Sequence, residues 1–232
     1  VPILCIIGPT ASGKSSRAVE IALQGFVNPT SDVGFTKPNM GEIISVDSRQ
    51  VYRGLDIGTE KISCEEMRGI PHHLIDIRNP GETYSAGEFA KDAARLIGEI
   101  AGRGKLPILV GGTHFYFDAL LKGLPAGVNA NRALRAELET LPTICLFARI
   151  REQDPRRAEE LDPNNRRRLI RALEIIESKG SVPIRPSTNS GSLFQVKWII
   201  IDPPREELRA RIDARLANAL TRGLIEEVRR VR

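Results

Sequence analysis

Near the start of the chain, Gly8-Pro9-Thr10-Ala11-Ser12-Gly13-Lys14-Ser15 has the spacing G-x-x-x-x-G-K-[ST]. A loop of this kind turns its backbone N–H groups inward on phosphate oxygens. Its lysine adds a cation, and its last hydroxyl can ligate Mg²⁺. Gly8, Thr10, Ala11, Ser12, Gly13, Lys14 and Ser15 are therefore expected to hold a di- or triphosphate, with Ser15 the candidate Mg²⁺ ligand. An apolar run ends just before Gly8 and a helical pattern begins at Lys14, which is the setting the motif requires. The motif leaves the chemistry open. Kinases and ATPases break a phosphoanhydride, whereas other enzymes hold a diphosphate as leaving group.

Asp47 closes the apolar run Ile43-Ile44-Ser45-Val46. Carboxyl ends of parallel strands face the ligand crevice, so Asp47 is expected to project toward the phosphate loop. It can bind Mg²⁺, orient a small kinase substrate, or act as general base on an acceptor amine. Asp76, after His73-Leu74-Ile75, competes for the metal role. Val110-Gly111-Gly112-Thr113 brings a Gly-Gly pair that permits close backbone approach. Thr113 either caps the helix it opens or presents a hydroxyl to the reacting groups. Ser48, Arg49 and Gln50 follow Asp47, and the Gln50 amide suits an adenine edge as well as a structural hydrogen bond. His72 and His73 cannot chelate one ion together, because adjacent strand residues point to opposite faces. Packing or hydrogen bonding is expected of them.

These residues need a scaffold. Short apolar strands at Ile3–Ile7, Glu42–Val46, His73–Ile77, Pro107–Val110 and Val196–Ile201 alternate with helical patterns at 14–24, 85–103, 113–122, 164–179, 204–220 and 223–232. That alternation predicts an α/β fold, a P-loop-type parallel sheet flanked by helices, with a small helical insertion. The expected division is a first core segment at 1–124, an insertion at 125–163, and a return to the core over 164–232. Ser85 with Glu88 forms a capping box for the third helix. Residues 25–41 read as a long surface loop.

The chain has 232 residues, 41% hydrophobic and 27% charged, with net charge +5. This is globular composition, and the charge permits an anionic partner without requiring one. No apolar run is long enough to span a bilayer. The three cysteines, Cys5, Cys64 and Cys145, have no paired spacing, so reduced thiols in a cytoplasmic protein are expected. Arg166, Arg167, Arg168 and Arg171 open one helix. A charge run is ordinarily a solvated face. Cations at a helix N-terminus oppose its dipole, however, which asks for another reason for their placement.

The phosphate loop, Asp47-Ser48-Arg49-Gln50-Val51-Tyr52, Asp56-Ile57-Gly58-Thr59, Pro71-His72-His73-Leu74-Ile75-Asp76, Tyr84-Ser85 with Phe89, and Gly111-Gly112-Thr113 with Tyr116 follow in one order. With Arg166-Arg167-Arg168-Leu169-Ile170-Arg171-Ala172-Leu173 and Gly223-Leu224-Ile225-Glu226-Glu227-Val228, this series resembles the tRNA dimethylallyltransferase family over nearly the whole chain. The resemblance implies transfer of a dimethylallyl group from dimethylallyl diphosphate to N6 of the adenosine immediately 3′ of the anticodon. It implies Asp47 as base, Thr113 near the reacting centre, Lys14 and Mg²⁺ on the diphosphate, and Arg215 (Arg211 second) reaching it. It places the tRNA anticodon loop on Ser48, Arg49, Gln50, Arg135, Arg167, Arg168 and Arg171, and the insertion toward tRNA. A monomer without membrane attachment is expected. Two departures stand out. The stretch from Asn28 to Met40 is longer than the family pattern, and the chain stops where that pattern continues with a basic helix, so C-terminal truncation is expected. The competing readings are a prenyltransferase of free adenine nucleotides, an ATP-dependent small-molecule kinase, and a non-enzymatic nucleotide- or RNA-binding module.

Overall fold

The computed structural model describes residues 1–24, 41–124, 128, 131–183 and 194–231. The apolar runs form β1 (Pro2–Ile7), β2 (Gly41–Val46), β3 (His72–His73), β4 (Leu106–Gly111) and β5 (Gln195–Ile200), a parallel sheet in the order β3-β2-β4-β1-β5. The helices are α1 (Lys14–Gln24), α2 (Cys64–Met67), α3 (Ala86–Gly102), α4 (His114–Leu121), α5 (Arg132–Thr140), α6 (Thr143–Gln153), α7 (Pro155–Glu159), α8 (Arg166–Lys179), α9 (Arg205–Thr221) and α10 (Leu224–Val231). Alternate strand residues feed two apolar layers. Ile3, Cys5, Ile44 and Val46 pack with Phe89, Ile97 and Phe117 of α3 and α4. Leu4, Ile6, Ile43 and Val110 pack with Ala18, Val19 and Ile21 of α1. The capping box of Ser85 and Glu88 opens α3 as expected.

β3 is shorter than the strand expected over His73–Ile77. Leu74 and Asp76 take left-handed backbone angles, φ 62° and 55°, which an extended strand cannot include. Of the expected 25–41 loop, residues 25–40 lie outside the described residues, and Gly41 is the first residue of β2. No helix among the described residues is long and apolar enough to cross a membrane.

The chain divides into two compact units, Val1–Gly123 with Asn189–Arg232, and Leu124–Thr188. The sequence reading returned the chain to the core at residue 164, but α8 belongs to the helical unit. Its apolar stripe, Leu169, Leu173 and Ile176, packs with Leu138 of α5 and with Leu146 and Ile150 of α6.

One ion cluster ties the sheet to the end of α3. Glu42, 3% exposed, meets His73 at 2.8 Å, Arg103 at 2.7 Å and Lys105 at 2.9 Å. Burial alone would raise its pKa, but hydrogen bonds from Arg103, Lys105 and His73 override that and bring it down to about 2. A depressed carboxylate stabilises the fold above its unfolded value of 4.5, and that contribution is lost as pH falls from there through about 2. Glu42→Gln is expected to flatten the acid side of the stability profile over this window, as read from urea unfolding at a series of pH values.

Candidate active site

Strand register brings the site together. Gly111 is the partner of both Ile7 and Val46, so Gly8, Gly112 and Asp47 leave the sheet side by side. A Cβ on Gly111 would stand 2.0 Å from the Val46 carbonyl oxygen, and one on Gly8 2.4 Å from that of Ile201. Only glycine tolerates that approach. Beyond Gly8 the phosphate loop turns through Ala11 and Gly13, both left-handed at φ 63° and 87°. Lys14 Nζ donates to the Pro9 carbonyl at 2.6 Å, which holds the ammonium over its own loop. Burial lowers the Lys14 pKa, Asp47 pulls it back up, and Arg215 lowers it again. Ser12 Oγ is buried with no hydrogen-bond partner among the described residues. A buried hydroxyl left unpaired is costly, and a phosphate oxygen in the loop would satisfy it.

A cleft of about 720 Å³ opens here. Thr10, Ala11, Ser12, Gly13, Lys14 and Ser15 line it together with Asp47, Gln50 and Arg215. Gly8, Ser48, Arg49 and Thr113 are not part of its wall, although they adjoin it. Asp47 Oδ1 accepts from the backbone N–H of Arg49 at 2.7 Å and of Gln50 at 3.2 Å, a local turn that fixes the carboxylate. Thr113 stands at the N-cap of α4 but makes no cap bond. Its hydroxyl instead accepts from the Ser48 N–H at 3.3 Å, which links it to the residue after Asp47. Of the two uses open to Gln50, its amide nitrogen takes the structural one, donating to the carbonyls of Thr59 at 3.2 Å and Glu60 at 3.1 Å.

Asp76, the rival metal ligand, is ion-paired with Lys61 at 2.5 Å. The nearly buried Lys61 ammonium also holds Asp56 at 2.6 Å and the Tyr52 carbonyl at 2.8 Å. His72 and His73 have separate partners, the Ile70 carbonyl and Glu42. Arg215 pairs with Glu60 at 3.4 Å, while Arg211 donates to the Ala11 carbonyl at 3.4 Å and pairs with Glu207.

Residues 50–232 match the family described as IPP transferase. A tRNA dimethylallyltransferase from Thermomicrobium roseum is 42% identical to the chain over 99% of it and 67% of the relative's own length. The chain belongs to the IPP transferase family. Another tRNA dimethylallyltransferase, from Halorhodospira halophila, is 44% identical over 98% of the chain and 71% of its own length. The crystal structure of the tRNA isopentenylpyrophosphate transferase of Bacillus halodurans superposes with TM-score 0.64 at 39% identity, covering 99% of this chain and 69% of that one. A eukaryotic dimethylallyltransferase, solved acting on tRNA, superposes with TM-score 0.82 at 29% identity, covering 99% and 55%.

In this IPP transferase the arginines singled out from the sequence divide by role. Arg166 satisfies the last carbonyls of α5, bonding Leu138 at 3.3 Å, Glu139 at 2.5 Å and Leu141 at 2.7 Å. Arg135 and Arg171 both pair with the buried carboxylate of Glu174, at 2.7 and 3.3 Å. Arg167 and Arg168 are exposed and make no side-chain hydrogen bond or ion pair among the described residues.

Several residues of this IPP transferase site were not found from sequence, among them Glu60, Lys61, Asn218, Arg222 and Glu227. Asn218 of α9 and Arg222, the residue that caps the helix's end, line the cleft one and two turns beyond Arg215. Their spacing from Arg215 was the available signal. Glu227 of α10 is buried and accepts three backbone N–H bonds from the 56–58 segment. An acid among charged helix residues gave no such hint.

The IPP transferase chemistry implies a divalent cation on the diphosphate. Among the described residues no group of three or more His, Cys, Asp or Glu side chains could hold a metal ion by itself. Ser15 lies on the cleft wall, and its hydroxyl would supply one oxygen ligand to such a cation.

Proposed function

We propose that the protein transfers the dimethylallyl group of dimethylallyl diphosphate to N6 of the adenosine immediately 3′ of the anticodon in tRNA. The observation that carries this reading is the single cleft in which the phosphate loop faces a turn-fixed carboxylate, Asp47. The adenine amine is a poor nucleophile because its lone pair is delocalised into the ring. Asp47 orients it and takes one N6 proton as the nitrogen lone pair bonds to the allylic carbon. The carbon–oxygen bond breaks with its electron pair, and the diphosphate departs. Lys14, the loop amides, the Ser12 hydroxyl and Arg215 stabilise the charge gathering on it. Thr113, tied to Ser48, presents its hydroxyl beside the reacting groups. Mg²⁺ held through Ser15 would neutralise part of the leaving-group charge. An unpaired anticodon-loop base costs less to draw out of its stack than one in a duplex.

The test offers radiolabelled dimethylallyl diphosphate with unmodified tRNA, with AMP, and with ATP present. Label in tRNA and unchanged ATP supports the reading. Label confined to AMP indicates the nucleotide enzyme, and ATP consumption without label indicates a kinase.

On the RNA side, Arg167 and Arg168 are the exposed cations available to tRNA phosphates, while Arg135 and Arg171 present guanidinium groups steadied by Glu174. Arg167→Ala with Arg168→Ala is expected to weaken tRNA binding about tenfold and to reduce the slope of log K against log salt by about one per lost contact. Dimethylallyl diphosphate binding should not change. A salt slope equal to the parent's would remove these two arginines from the interface.

A further inference from the structure

The loop from Leu55 to Lys61 has no regular secondary structure, yet several groups of the candidate site hang on it. The carbonyls of Thr59 and Glu60 receive the Gln50 amide, and the Gln50 backbone N–H in turn donates to Asp47. Glu60 pairs with Arg215. Lys61 ties the loop to Asp76 and to the Tyr52 carbonyl. A loop that sets a base, its neighbour and a diphosphate-side arginine must itself be held in place.

Besides Lys61, a side chain from the far end of the sequence holds it. Glu227 is 1% exposed. Its Oε2 accepts the N–H groups of Asp56 at 2.8 Å and Ile57 at 2.7 Å, and its Oε1 that of Gly58 at 2.9 Å. Three consecutive amides converging on one point make an anion nest, and here the anion is supplied by the protein. The approach is close: a Cβ on Gly58 would stand 3.1 Å from Leu224 and 3.4 Å from Glu227 Oε1. The preceding residue, Glu226, behaves differently; it is two-thirds exposed and among the described residues pairs only with Arg229, at 3.7 Å.

We infer that Glu227 is a positioning residue for prenyl transfer: its carboxylate clamps the 56–58 amides and, through Gln50, keeps Asp47 aimed at the acceptor amine. This rests on the proposed tRNA prenyl transfer, because the acceptor side of that reaction is what the clamp serves. Among the described residues the phosphate loop makes no hydrogen bond to the clamped amides, and the 55–61 loop meets the donor side through the Glu60–Arg215 pair at 3.4 Å, so the clamp acts chiefly on the acceptor side. Glutamine at this position keeps the volume but places an NH₂ group against at least one backbone N–H, so the three-fold clamp cannot form.

The experiment compares Glu227→Gln with Glu226→Gln and the parent. Glu227→Gln is expected to lower kcat with tRNA by about 10- to 100-fold, the range for a misplaced reacting group, with the KM for dimethylallyl diphosphate held within about threefold. In a Gln50→Ala background the same change should cost less than about threefold, because both act along one path. Glu226→Gln should match the parent. Amide hydrogen exchange supplies a reading independent of turnover. Asp56, Ile57, Gly58 and also Gln50 should exchange about tenfold faster in Glu227→Gln, while the amides of α3 stay unchanged. Faster exchange confined to residues 56–58, a kcat within twofold of the parent, or a full additive loss in the Gln50→Ala background would each overturn the inference. If the parent itself transfers no label to tRNA, the proposed function fails, and exchange at Gln50 still decides the clamp.

Discussion

Replacing Asp47 by asparagine is expected to lower the turnover of prenyl transfer to tRNA by about 10²- to 10⁴-fold, the usual contribution of a positioned proton acceptor. Dimethylallyl diphosphate should bind as tightly as before. The substitution is chosen because of how Asp47 is held. Its Oδ1 already accepts the N–H groups of Arg49 and Gln50, and an asparagine oxygen can accept both in the same way. The turn, and with it the Gln50 link to the 55–61 loop, should survive. What disappears is the ability to take a proton and the negative charge facing Lys14. That charge raises the Lys14 pKa, so the variant's Lys14 titrates lower and the alkaline limb of its pH profile moves down. Single-turnover rates with tRNA, set beside equilibrium binding of the diphosphate, separate the two effects. A loss of less than tenfold in the single-turnover rate would mean that another group accepts the proton.

Much of this arrangement was legible in the sequence because it depends on local pattern. The Gly8–Ser15 spacing, the apolar runs around it and the Ser85–Glu88 box each report their own backbone, and α1 begins and ends where the pattern placed it. The position of Asp47 followed from the rule for parallel strand ends. The features that escaped depend on long-range partners. Arg166 looked like one of four equivalent cations, but only the fold brings the end of α5 against its guanidinium. Leu169 and Leu173 marked a helix with an apolar face without saying which unit that face would join. β3 stopped early because two left-handed residues interrupt a run whose composition alone reads as strand. Glu227 is the extreme case. Its partners lie 169 to 171 residues away in the chain, and nothing in Glu226-Glu227 distinguishes the buried acid from the exposed one.

The complementary variant removes charge from the donor side. Lys14→Met is expected to lower turnover by about 10²- to 10³-fold, the range for loss of one preorganised group facing developing charge. Methionine nearly matches the lysine stem in length, so the fold around α1 should hold. The ammonium lies over the loop through its bond to the Pro9 carbonyl, where in the proposed reaction it would face the oxygens on which charge gathers as the allylic bond breaks. Charge on those oxygens is greater in the transition state than in the bound donor, so kcat should fall more than donor affinity. Asp47→Asn and Lys14→Met therefore make opposite forecasts for leaving-group dependence. A donor with a better leaving group should recover much of the loss in Lys14→Met, where departure is the impaired event. It should recover little in Asp47→Asn, where the amine is. Equal recovery in both would show that nucleophile and leaving group are not served by separate walls of the cleft.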